Sequence, residues 1–263
     1  MNIIDLGNIK LRYELSGPED APVLCLVHCF GSNHKYWDFH LDAFANFRIL
    51  RFDVRGHGDS SPLLGPCSLE DLASDVIALL DKLNIETVHL GGVSMGGMIS
   101  QTVILNYPER IKSLMLINTT CEVGQDQKAL WQKRSKLVLN DGVGSVADAM
   151  LERWFTVNAK VVGLPGYKYI ADAFNDFQTK TFCEIGAAMC DVNTTKRLHK
   201  IDVPTLVVAT PDDPGAPTEI SKTIANEISK AELFWLQPAR HLSSLENPNK
   251  FNERVRVFLS DRL

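Results

Sequence analysis

The sequence predicts an α/β architecture: a mostly parallel sheet with helices on both faces and a helical segment inserted between two of its strands. Three observations carry this. Short apolar runs, such as residues 23–27 and 203–209, alternate with longer segments whose apolar residues recur at helical spacing. One such run, residues 87–91, passes into the helix-like stretch 95–105 through Gly92-Val93-Ser94-Met95-Gly96, a serine bracketed by glycines at a strand-to-helix turn. The rhythm breaks over residues 121–200, where only helical patterns occur, and resumes at 203.

Taken in order, residues 8–16 alternate in the manner of an edge strand, and Gly17-Pro18-Glu19-Asp20 is a turn. Residues 23–27 are continuously apolar, as in a strand covered on both faces. A strand over 48–54 ends in the turn Arg55-Gly56-His57-Gly58-Asp59-Ser60. Ser68 is placed to cap a helix with Glu70 and Asp71 in its first turn, and Leu69, Leu72, Val76, Leu79, Leu80 and Leu83 form its apolar stripe. The helix after Ser94 stops at Tyr107-Pro108, and residues 113–118 form the next strand. Strands joined by helical crossovers place ligands at their carboxyl ends, and Ser94 is at such an end. Strands over 203–209 and 232–236 follow the insertion. The chain thus divides into a core, 1–120 and 201–263, and a helical cap, 121–200, carrying Trp131, Trp154, Phe155 and Phe174. That cap serves as a packing subdomain, a lid over the site, or both.

Composition narrows the function. At 263 residues, with 45% hydrophobic and 22% charged residues, the chain is an ordinary globular one. A net charge of −5 offers no basic surface to nucleic acid, and neither a leader-like N-terminus nor a membrane-length apolar run is present, so a cytoplasmic protein without a membrane partner is expected. The six cysteines show no C-x-x-C pair and read as free thiols, Cys25 and Cys29 lying in a buried strand. His28, His34 and His40 lack the companion ligands of a metal site, so no metal and no cofactor are expected.

The chemistry starts from Ser94. On a sharp turn its hydroxyl is pushed into the open, and the flanking positions must be small to let the helix start against the sheet. A serine hydroxyl is a poor nucleophile near neutral pH. It needs a base, and the base needs an orienting partner. Asp212 and Asp213 follow strand 203–209, and His241 follows strand 232–236. Serine, acid and histidine therefore occur in that order, each on a loop after a strand.

With these residues in view, the chain resembles the alpha/beta-hydrolase superfamily along its whole length, and more narrowly the 3-oxoadipate enol-lactone hydrolases. The narrower resemblance rests on residues 50–60, on Gly92 to Gly97, on Ile117-Asn118-Thr119-Thr120, on the cap run 147–156 and on Ala239-Arg240-His241-Leu242-Ser243-Ser244-Leu245-Glu246. It implies the alpha/beta-hydrolase fold, with Ser94 as nucleophile, Asp213 as acid and His241 as base. Asn118, where some relatives carry the acid, lacks the necessary charge. His57 and Asp59 belong to a structural turn. Two N–H groups would bind the oxyanion, those of Met95 and of Phe30 in His28-Cys29-Phe30-Gly31. Cys29 stands where many esterases have glycine, and His28 is unusual among the lactone hydrolases. Trp131 and Arg134 resemble that family's substrate-facing pair, Arg134 clamping a substrate carboxylate, and Trp154 is a further candidate contact. The implied partner is a small ester or lactone, and oligomeric state stays open. Other readings are a general carboxylesterase, a hydrolase of another lactone, a carbon-carbon bond hydrolase, or a ligand receptor on this fold. Dehalogenases and epoxide hydrolases need a carboxylate where Ser94 stands.

Overall fold

A computed structural model describes residues 2–260 and 262. Eight strands form one sheet in the order β1-β2-β4-β3-β5-β6-β7-β8. These are β1 (Asn2–Asp5), β2 (Lys10–Ser16), β3 (Val23–Val27), β4 (Arg48–Phe52), β5 (Val88–Val93), β6 (Ile111–Ile117), β7 (Thr205–Ala209) and β8 (Ala231–Trp235). The pairs β1–β2 and β2–β4 are antiparallel and every other pair is parallel. β3, β5, β6 and β7 are the central parallel strands, and apart from the exposed Lys112 and the half-buried Val23 every residue in them is buried, which explains their continuous apolar runs.

The strand expected at the edge is not there. β2 is second from the rim because residues 2–5 pair along its outer side, Ile3 opposite Arg12 and Ile4 opposite Leu11. Its polar and apolar residues alternate in sequence but not in burial, since Arg12 is buried like Leu11 and residues 13–15 are all half-buried.

Helix α1 (Leu69–Lys82) begins in a capping box: Ser68 Oγ accepts from the Asp71 N–H, and the Asp71 carboxylate accepts from the Ser68 N–H. α1 packs beside α2 (Met95–Asn106), whose residues 95–104 are all buried. α8 (Thr218–Glu227) joins β7 to β8. After β8 come α9 (Ser243–Glu246) and α10 (Pro248–Ser260), the latter packed on a 3-10 segment His34–Phe44. Among the described residues no helix is long and apolar enough to cross a membrane.

Between β6 and β7 lie α3 (Gln125–Asp141), α4 (Gly144–Trp154), α5 (Val157–Val161), α6 (Pro165–Asn175) and α7 (Thr179–Cys190), with α3 packed along α7. An antiparallel bridge between Glu122 and Asn193 ties the two ends of this insertion together. The 3-10 turn Thr195–Lys200 packs instead against α2 and α8.

Candidate functional site

The site is built outward from the turn between β5 and α2. Ser94 has φ 54° and ψ −114°, a left-handed conformation that a non-glycine residue holds only when its surroundings enforce it. Those surroundings are tight. A Cβ at Gly92 would lie 2.1 Å from the Gly96 carbonyl oxygen, and one at Gly96 would lie 2.3 Å from the Val27 carbonyl oxygen. The Ser94 backbone is pinned by its N–H to the Ile117 carbonyl (2.9 Å) and by Thr119 Oγ1 donating to its carbonyl (2.7 Å). Its hydroxyl faces a cavity, and the residue is 9% exposed.

The loops after β7 and β8 bring two more groups to this point. His241 Nε2 lies 2.7 Å from Ser94 Oγ. His241 Nδ1 lies 2.8 and 2.9 Å from the two Asp213 oxygens, while Asp212 is exposed. With Nδ1 donating to the carboxylate, Nε2 is left as the acceptor facing the serine. Asp213 Oδ1 also accepts from the N–H groups of Gly215 (2.7 Å) and Ala216 (3.0 Å), and Oδ2 from Asn118 Nδ2 (3.0 Å). Burial by itself would raise the pKa of this acid, but His241, the Asn118 amide and the Ala216 N–H hold it below the usual carboxylate range. A carboxylate, an imidazole and a hydroxyl thus lie in one hydrogen-bonded line.

On the opposite side, neither the Phe30 nor the Met95 N–H has a hydrogen-bond partner among the described residues. Met95 is the first residue of α2, where amides point outward unpaired, and Phe30 lines the cavity. The Phe30 loop is held by His28, whose Nδ1 donates to the Cys29 carbonyl (2.8 Å) while Nε2 accepts from the Val54 N–H (3.0 Å). Burial lowers the His28 pKa to about 4, so it stays neutral and keeps both bonds. Cys29 lies just past the end of β3, not inside it. Burial pushes its thiol up to about 12, so it stays protonated near neutral pH.

The insertion supplies the rest of the wall. Trp131 stands edge-on to Phe30 with ring centroids 5.3 Å apart, and Trp154, Met150 and Met189 add apolar surface. Arg134 also lines the cavity, 9% exposed, with its guanidinium 5.4 Å from the Trp131 ring centroid and no carboxylate partner among the described residues. Burial, together with the nearby charge of Arg153, lowers its pKa to about 10. Arg153 itself, absent from the sequence expectations, lines the same cavity and donates to the Pro214 carbonyl (2.8 Å) on the acid's loop. Its only sequence signal was its place in the cap run 147–156. Asn118 was visible as a residue at the end of a strand, but its bond to Asp213 was not. His57 and Asp59 do not line the cavity; the Asp59 N–H donates to Asp53 Oδ2 (2.9 Å) within their turn.

Comparison with known proteins agrees with this geometry. A family model described as alpha/beta hydrolase fold matches residues 22–146. The chain is 29% identical over 253 residues to 3-oxoadipate enol-lactonase 2 of Acinetobacter baylyi, covering 96% of this chain and 94% of that protein. Among solved structures, a hydrolase from Pseudomonas aeruginosa PA01 superposes with a TM-score of 0.93 at 32% identity, covering 98% of this chain and 97% of the other. The enol-lactonase from Burkholderia xenovorans LB400 superposes with a TM-score of 0.94 at 28% identity, covering 98% and 100%. Sheet order, the strained serine turn and full-length likeness to these hydrolases agree: the chain belongs to the alpha/beta-hydrolase fold family.

Proposed function

We propose that this chain is a serine hydrolase that opens a small carboxylic ester or lactone through an acyl-enzyme, its substrate class being a carboxylate-bearing lactone such as 3-oxoadipate enol-lactone. The observation that carries the reading is the unbroken relay from Asp213 through His241 to Ser94 Oγ, with contacts of 2.8 and 2.7 Å, at the floor of a lined cavity. His241 removes the Ser94 proton as Oγ attacks the carbonyl carbon. The Phe30 and Met95 N–H groups receive the oxyanion. Collapse expels the ring oxygen. In an enol lactone it leaves as an enolate, which is more stable than an alkoxide and becomes a ketone on protonation. His241 then activates water to release the acid and restore Ser94. Residues 121–200 act as the cap that shapes the cavity and limits water.

The carboxylate preference is supported by two cations. Arg134 and Arg153 face the nucleophile's cavity, and each has its pKa lowered first by burial. Among the described residues no side-chain acid pairs with Arg134, whereas Arg153 is drawn towards Asp213, so a substrate carboxylate would supply the partner that Arg134 lacks. The likeness to enol-lactonases of Acinetobacter baylyi and Burkholderia xenovorans points the same way. The test is a panel of 3-oxoadipate enol-lactone, neutral aryl esters and uncharged lactones compared by kcat/KM. The reading expects the carboxylate-bearing lactone to lead. A lead by neutral aryl esters would make the chain a general carboxylesterase, and turnover of none of them would remove the hydrolase reading.

A further inference from the structure

We propose that Asn118 is a positioning residue for the triad: its amide, itself anchored by Ser243, holds the Asp213 carboxylate ionised and aligned on His241. This rests on the serine-hydrolase reading above and adds to it a fourth side chain acting through the acid.

Asn118 is the first residue after β6. Its N–H donates to the Val208 carbonyl (2.8 Å), so the backbone is fixed as a continuation of the sheet. Its φ is 44°, in the left-handed region that costs energy for any residue with a side chain and is visited mainly by glycine, asparagine and aspartate. It is 1% exposed. A strained, buried asparagine beside a strained nucleophile points to a requirement set by its side chain.

That side chain bridges two loops. Nδ2 donates to Asp213 Oδ2 (3.0 Å), and Oδ1 accepts from Ser243 Oγ (2.5 Å). Ser243 is wholly buried, two residues beyond His241. A closed circuit follows: Asn118 to Asp213, Asp213 to His241, His241 along the chain to Ser243, and Ser243 back to Asn118. The loops after β6, β7 and β8 are tied at one place. The carboxylate dictates the orientation of the amide, since the reversed one would set Oδ1 against Asp213 Oδ2. The Ser243 hydroxyl then satisfies the oxygen that faces away.

Without the amide, Asp213 Oδ2 retains only a share of the His241 N–H, while Oδ1 keeps Gly215 and Ala216. The acid would then pivot about Oδ1 and lose the bond that opposes its protonation. An aspartate at 118 removes the same donor and adds a second carboxylate beside Asp213, so the site takes up a proton at higher pH than in the wild type.

The test is the pH profile of kcat/KM for the wild type, Asn118→Gly, Asn118→Asp and Ser243→Ala, on the best substrate of the panel and with Ser94→Ala as control. Asn118→Gly fits φ 44° without strain, so it separates loss of the amide from misfolding. The proposal expects kcat to fall by about tenfold or more in Asn118→Gly with KM changed less than about twofold, and by a smaller factor in Ser243→Ala. In Asn118→Asp it expects the acid limb to move up by about one pH unit. Wild-type kcat and an unmoved profile in all three variants would overturn it. So would a raised KM at unchanged kcat, which would make Asn118 a substrate contact. If Ser94→Ala retains full activity, the triad reading itself fails, whatever the Asn118 variants do.

Discussion

Removing the cavity's cations gives the most informative perturbation of the proposed specificity. In the free protein, burial and Arg153 lower the Arg134 pKa from 12.5 to about 10. At 1.36 kcal/mol per pH unit, its charge is held at an expense of up to about 3 kcal/mol, which a bound carboxylate would relieve. A hydrogen bond to a charged group contributes about 1.5–3 kcal/mol, a comparable figure. Arg134→Met keeps the stem that packs by Trp131 and removes the charge. For a carboxylate-bearing lactone or an aryl monoester of a dicarboxylic acid, kcat/KM should fall by about 10- to 100-fold, mostly through KM. For a neutral aryl ester of similar size it should stay within about threefold of wild type. Arg153→Lys, with Arg134 intact, should show a smaller loss of the same kind, because a cation remains. The assay is steady-state hydrolysis of the matched charged and neutral esters on all three proteins. Equal losses on both esters, or none on either, would refute the reasoning, because a carboxylate clamp must discriminate by charge.

Three further outcomes follow from the geometry. Asp213→Asn should lower kcat by roughly 10⁴-fold while leaving thermal unfolding within a few degrees of wild type, since an amide neither fixes the His241 tautomer nor stabilises its cation; kinetics beside calorimetry check this. Gly96→Ala should lower both stability and activity, its methyl lying 2.3 Å from the Val27 carbonyl oxygen, with about 1–3 kcal/mol lost in urea unfolding. Burial lowers the pKa of His28, His40 and His89 to about 4 and of His57 to about 3, all below the 6.5 of the unfolded chain. Between these values the unfolded chain binds more protons. Stability should therefore be full above about pH 6.5 and fall progressively towards pH 4, with a shallower slope in His57→Leu, measured by urea midpoints across that range.

Much of the core was legible because its signals are local. The buried strands β3 and β7 appear as unbroken apolar runs, and Ser68 with Asp71 announced the start of α1. The order of Ser94, acid and His241 along the chain, each after a strand, placed them at one end of the sheet before any distance was known. What the sequence hid depends on contacts between distant segments. β1 carries no strong strand pattern, and only its pairing to β2 turned an expected edge into an interior strand. Arg153 looks like any helix arginine until α4 is seen leaning over the acid's loop. The tie from Asn118 to Ser243 spans 125 positions, and neither residue type signals it alone. Choosing Asp213 over Asp212 needed either a resemblance or coordinates, since adjacent aspartates are equivalent in any pattern.

The central claim is that Ser94 is the nucleophile whose acyl adduct lies on the reaction path, and trapping that adduct tests it most directly. The protein would be treated with a slowly deacylating p-nitrophenyl carboxylic ester, which acylates the nucleophile and releases p-nitrophenolate, then digested, and the peptide spanning Gly92 to Gly97 examined by mass spectrometry. The account predicts one equivalent of label on Ser94, loss of hydrolysis in step with labelling, and no label in Ser94→Ala. Full inactivation with the label on another residue, or undiminished hydrolysis by Ser94→Ala, would contradict it.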